Sequence, residues 1–245
     1  MTMELRDLTI ARRFCGPPNS ANGGYACGLL ARHIDGPAVV RLKAPPPLET
    51  RLQVESDGET AVLRHGSTVF AEARRGDPGL VPPVTPTHAT AMAALNRRPR
   101  TSRLFAGCFA CGPQRAKGDG LRVFPGVLDD GPNLAAPWVP EPSLAGSDGH
   151  VQPEYLWAAL DCAGGFAIWP DESKAILLGE FCARIDNPVK PGDECVVVAW
   201  PLGAEGRKRY AGTAVLDGSG RVAAIARATW IEVPRETVLA GGAPA

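Results

Sequence analysis

The stretch Val151-Gln152-Pro153-Glu154-Tyr155-Leu156-Trp157-Ala158-Ala159-Leu160-Asp161-Cys162-Ala163-Gly164-Gly165 reads as the opening of a helix. Pro153 suits a first helical turn, where its missing N–H costs nothing, and the Ala- and Leu-rich run behind it predicts helix over Pro153–Ile168. Strand patterns flank it. Before it stand Leu121–Phe124 and Leu134–Trp138; after it come Ile176–Ile185, Glu194–Pro201, Arg207–Leu216 and Val222–Glu232. These rest on period-two alternation and on β-branched runs such as Cys195-Val196-Val197-Val198. Lys190-Pro191-Gly192-Asp193 and Asp217-Gly218-Ser219-Gly220 supply the turns. A helix followed by such a meander can bury its apolar face on its own sheet.

The same order occurs earlier in the chain. A short strand, Leu8–Phe14, leads through a glycine-rich entry into a predicted helix, Asn22–Ile34. Strands over Ala38–Lys43, Thr50–Ser56 and Thr60–Arg74 follow. Val40-Arg41-Leu42-Lys43-Ala44-Pro45 lines up with Ala183-Arg184-Ile185-Asp186-Asn187-Pro188, carrying residue 41 onto residue 184 at an offset of 143. Ala73-Arg74 lines up with Ala226-Arg227 in the same way. Between the halves, Pro78, Pro82, Pro83, Pro86 and Pro99 interrupt a Thr- and Ala-rich linker that contains a short helix over Ala89–Leu95. The expected organisation is an N-terminal repeat over 1–76, a linker over 77–102, a C-terminal repeat over 103–235 and a flexible tail over 236–245. The alternative is one large α+β domain whose parts merely look alike.

Charge and cysteines narrow the setting. Lys and Arg number 26 and so do Asp and Glu, for a formal charge of zero over 245 residues. Nucleic acid and anionic membrane both reward a concentrated basic surface, so neither is expected as a partner. No run of eighteen apolar residues predicts a membrane span, and the first residues lack a signal-peptide pattern, which points to the cytoplasm. Seven cysteines, an odd number, fit free thiols in a reducing compartment. Cys108-Phe109-Ala110-Cys111 has zinc-ligand spacing, but structural zinc wants four ligands and no second pair exists in the sequence. Neither metal nor cofactor is therefore expected, and the role of Cys108 and Cys111 stays open.

A helix wrapped by an antiparallel meander, written twice, resembles the hotdog fold in its duplicated, double-hotdog form. In hotdog thioesterases of the 4-hydroxybenzoyl-CoA and phenylacetyl-CoA types the helix opens with His-Gly-Gly or a relative, and an acid follows nine positions after the His. Val151–Gly165 resembles that helix with Asp161 at the acidic position. Asn22-Gly23-Gly24-Tyr25-Ala26-Cys27-Gly28-Leu29-Leu30-Ala31 resembles it with Ala31 there. Cys108-Phe109-Ala110-Cys111-Gly112-Pro113 is similar to a CxxCG segment of phenylacetyl-CoA-thioesterase-like hotdogs. Ala211–Ala224 is similar to the closing hairpin of acyl-CoA thioesterase II.

What the resemblance implies is an α+β double hotdog that acts on an acyl-CoA-type thioester, a small-molecule partner, as a homodimer or higher oligomer. The two helix entries depart from the pattern in complementary ways, so one complete site would join the Gly23 and Gly24 backbone to Asp161. Glycines at a helix N-terminus let an acyl oxygen approach unpaired N–H groups, an oxyanion hole in effect. Asp161 would be general base or nucleophile. Asn22 and Gln152, at the two His positions, would bond the substrate carbonyl or the water. Glu154 reads as a surface charge complementing the helix dipole, Trp157 as core, and His150 as the histidine nearest the site. The last-strand Gln of acyl-CoA thioesterase II is replaced by Arg227. The Asp-x-Asn-Pro-x-His segment of hotdog hydratases is absent. A non-catalytic thioester-binding module is the alternative function.

Overall fold

Two helices set the frame. α1 (Gly23–Ala31) and α3 (Pro153–Ala167) cross in close contact and run in opposite directions. A Cβ on Gly24 would meet Trp157 O and Asp161 Cβ, and one on Gly28 would meet Glu154 Cα. α1 is apolar on all sides and buried from Gly24 to Ala31, as expected of a helix with protein around it. It is shorter than the Asn22–Ile34 read from the sequence. The chain leaves it at Arg32 and turns at Gly36, whose φ of 96° favours glycine. The computed structural model describes residues 4–99, 103–129, 131–169 and 174–239.

Around the helices the strands form one antiparallel sheet. They are β1 (Glu4–Thr9), β2 (Ala38–Leu42), β3 (Arg51–Ser56), β4 (Thr60–His65), β5 (Thr68–Arg75), β6 (Gly126–Val127), β7 (Leu134–Trp138), β8 (Lys174–Ile185), β9 (Cys195–Glu205), β10 (Lys208–Leu216) and β11 (Val222–Pro234). Their spatial order is β1-β3-β4-β5-β2-β8-β11-β10-β9-β7-β6. Read outward from the β2–β8 seam, each half therefore runs first strand after the helix, last, second-last, third-last, then the strand before the helix. α1 packs on β2, β4 and β5, and α3 on β8 to β11.

The register carries this order further. At the seam Ala38 faces Ala183, Val39 faces Cys182 and Val40 faces Phe181. Exchanging each residue for the one 143 positions away carries these pairs onto each other, with Val39–Cys182 at the centre. One strand further out, Val40 faces Ala73 and Ala183 faces Ala226. These are the residues aligned above between the halves.

Four sequence expectations shift. The first strand is Glu4–Thr9, and Arg12–Phe14 makes a 3-10 turn instead of ending a strand. Thr60–Arg74 is a hairpin, broken at Gly66 with φ 57°. Leu121–Phe124 is not a strand, because the Leu121 and Val123 amides bond the Phe109 and Ala110 carbonyls at 2.8 and 2.9 Å, away from the sheet. The region expected as a tail begins with a helix, α4 (Arg235–Leu239), while 240–245 lie outside the described residues, as do 100–102 of the expected linker. Within that linker α2 (His88–Ala94) covers the outer face of β7.

Candidate active site

A largely apolar cavity of about 180 Å³ opens between the α1 entry and the start of β8. Leu42, Phe166, Ile176, Leu178 and Trp230 supply apolar wall; Asn22, Gly23, Asp161 and the thiols of Cys108, Cys111 and Cys162 supply the polar part. Each polar group arrives from a different place. Asn22 is the N-cap of α1, with its Oδ1 accepting from Tyr25 N at 2.8 Å. Asp161 comes from the third turn of α3. Cys108 and Cys111 come from the turn that Phe109 anchors, through its amide on Cys15 O at 2.7 Å and its edge-on contact with Phe14.

Asp161 is 2% exposed. Its Oδ2 accepts from Asn22 Nδ2 at 2.8 Å and from Gly24 N at 2.9 Å. Its Oδ1 is buried with no hydrogen-bond partner. Burial disfavours the charged form more than those two donors favour it, and the carboxyl is pushed up to about 7. Nearby, S–H donors on Cys111 and Cys162 hold the Cys108 thiol well below its usual range, outweighing burial.

The two glycines differ in their use. The Gly24 N–H is engaged by Asp161, and a Cβ there would lie 2.5 Å from Asp161 Cβ and from Trp157 O. Gly24 therefore serves helix contact and carboxylate anchoring, not an oxyanion. The Gly23 N–H, at the first position of α1, has no intrahelical partner, as helix geometry requires. Gly23 lines the cavity with no acceptor among the described residues.

Gln152 stands apart. It is the N-cap residue of α3, but its amide lies against Asp148 and the His150 carbonyl, and it does not line the cavity. His150 contacts Asp148 at 3.7 Å and is likewise outside the cavity. Glu154 is not a surface charge: it is 6% exposed beneath α1 and pairs with Arg32 at 3.2 Å. Trp157 meets Phe181 edge-on at 5.4 Å as core. Arg184 bonds Asp77 and Asp186. Cys162 escaped the sequence reading, although its place beside Asp161 on α3 was a usable signal.

No protein-family model matches this chain, and no curated protein does. Solved structures do. A candidate thioesterase II from Thermobifida fusca YX superposes with TM-score 0.61 at 16% identity, covering 94% of each chain. The dehydratase domain of a mycocerosic acid synthase-like polyketide synthase superposes with TM-score 0.62 at 17% identity, covering 95% of this chain and 92% of that one. At these identities the likeness concerns the fold, which is of the hotdog type. Among the described residues, no helix is long and apolar enough to cross a membrane.

Proposed function

We propose that this hotdog-fold protein hydrolyses an acyl-CoA-type thioester in the cavity beside Asp161. One observation carries the reading: a buried carboxylate with Oδ2 anchored by two donors and Oδ1 unpartnered, sharing an apolar cavity with the free Gly23 N–H. The acyl chain lies along the apolar wall. The thioester oxygen takes the Gly23 N–H, at the positive end of α1, which stabilises charge as it develops. Oδ1 supplies the lone pair, to water or directly to the carbonyl carbon. With its pKa near 7 a useful fraction is ionised at neutral pH. Single turnover in heavy-oxygen water tests for the direct route, because label enters the carboxylate only when water opens an acyl-aspartyl anhydride at the aspartyl carbon.

The architecture supports one site of this kind, not two. We infer two hotdog repeats meeting at the β2–β8 seam, with the N-terminal repeat giving Asn22 and Gly23 and the C-terminal repeat giving Asp161. At the mirror position the first helix has Ala31 in place of an acid. A reducing, cytoplasmic setting suits seven free cysteines. Dehydration fits less well, since among the described residues no histidine lines the cavity to share proton transfer with Asp161. The reading is tested by thiol release from a panel of acyl-CoAs. Saturable binding without release would replace it with the non-catalytic thioester-binding module.

A further inference from the structure

The Cys108–Cys111 pair gains a third thiol from far along the chain. Cys162 Sγ lies 3.6 Å from Cys108 Sγ, and the sulfurs of Cys108, Cys111 and Cys162 all lie within 4.8 Å of one another. Three thiolates bound to zinc at ~2.3 Å in tetrahedral geometry would stand about 3.8 Å apart. We propose that Cys108, Cys111 and Cys162 form a three-thiolate binding site for Zn²⁺, with the fourth coordination position on the cavity side.

The turn that carries the pair is built for this. Gly112 N bonds Cys108 O at 2.8 Å, closing a tight turn over the Cys-x-x-Cys span. A Cβ on Gly112 would lie 2.5 Å from that same carbonyl oxygen, so glycine is what lets it close. All three cysteines line the cavity, which gives an ion a path in and leaves the fourth position to water. Asn22 Nδ2 lies 3.8 Å from both Cys108 Sγ and Cys162 Sγ, an outer donor of the sort that orients thiolate ligands and offsets their charge. Soft sulfur ligands favour zinc over magnesium or calcium. Binding takes all three sulfurs as thiolates, any thiol proton still present going to solvent, and leaves a formal charge of −1 on the ion and its three sulfurs. The expectation of no metal counted ligands only by sequence spacing, and Cys162 reaches the pair through the fold.

This inference stands apart from hydrolysis. The test is to reduce and chelator-wash the whole protein, then titrate it with Co²⁺ alone. The expected result is one equivalent bound, with sulfur-to-cobalt charge-transfer absorption of three-thiolate intensity that zinc displaces. Cys162→Ser should lose the three-thiolate band, while Cys182→Ser, remote on β8, should keep it. A wild-type band of two thiolates or none would overturn the site, as would a band unchanged in a folded Cys162→Ser. Should Cys162→Ser fail to fold, the wild-type intensity decides. Thiol release from acyl-CoA is scored separately, so either reading can fail alone.

Discussion

Asn22 reaches from the cap of one helix to the carboxylate of another: its Nδ2 donates to Asp161 Oδ2 at 2.8 Å while its Oδ1 caps Tyr25 N at 2.8 Å. The start of α1 and the position of Asp161 are therefore one structural unit. Asn22→Ala removes both bonds. Thermal or urea unfolding should register a loss of about 1–3 kcal/mol, and turnover should fall with it. Unchanged stability would mean that the cap contributes nothing.

Gly23 and Gly24 should separate cleanly under mutation. Gly24→Ala puts a methyl 2.5 Å from Trp157 O, so the helices must part; low yield or a sharply lowered melting temperature is expected. Gly23→Ala meets chiefly the Leu178 side chain, at 3.0 Å, and should fold. Gly23→Pro keeps a favoured first-turn residue, and Asn22 at φ −59°, ψ 129° already has the conformation a following proline prefers. Compared with alanine it closes a ring onto the nitrogen and so deletes the N–H. Against Gly23→Ala it should lose ~10²–10³ in kcat if that donor holds the oxyanion; equal kcat would remove Gly23 from the chemistry.

Asp161 also sets a pH dependence of stability. Its carboxyl rises from 3.8 to about 7 on folding, so between those values the native state holds a proton that the unfolded chain releases. Stability is then full below pH 4 and declines as pH rises towards 7, by on the order of 4 kcal/mol. Denaturant midpoints of chelator-washed protein should follow this against Asp161→Asn, whose curve lacks that component. Parallel curves for the two proteins would contradict it.

Gln152→Ala should leave kcat/KM unchanged, because its amide faces Asp148 and His150 instead of the cavity. A drop of ~10-fold or more, converting to ~1.4 kcal/mol, would bring Gln152 back into the site.

How far the sequence could be read depends on what each feature obeys. Strands of the second half were legible because alternation and turn residues act locally, and Leu134–Trp138 has the expected bounds. Pairing Val40 with Ala183 and Ala73 with Ala226 anticipated equivalent registers, since both pairs fill the same places in their halves. Leu121–Phe124 misled because its amides found a loop partner, a tertiary choice that alternation does not encode. Of the residues singled out in the sequence, Asp161, Asn22 and Gly23 line one cavity, while the Gln152 amide faces Asp148 and His150, an orientation only the fold decides. Glu154 next to Arg32 and Cys162 next to Cys108 are contacts across more than fifty residues, which spacing alone does not disclose.

The most direct test is Asp161→Asn assayed for free thiol released from acyl-CoA thioesters. The amide keeps the size of the carboxyl and removes the base or nucleophile, so folding should persist. The account predicts turnover by the wild type and a fall of ~10²–10⁴ in the variant, with binding of the thioester retained. Equal turnover by the two folded proteins would contradict it.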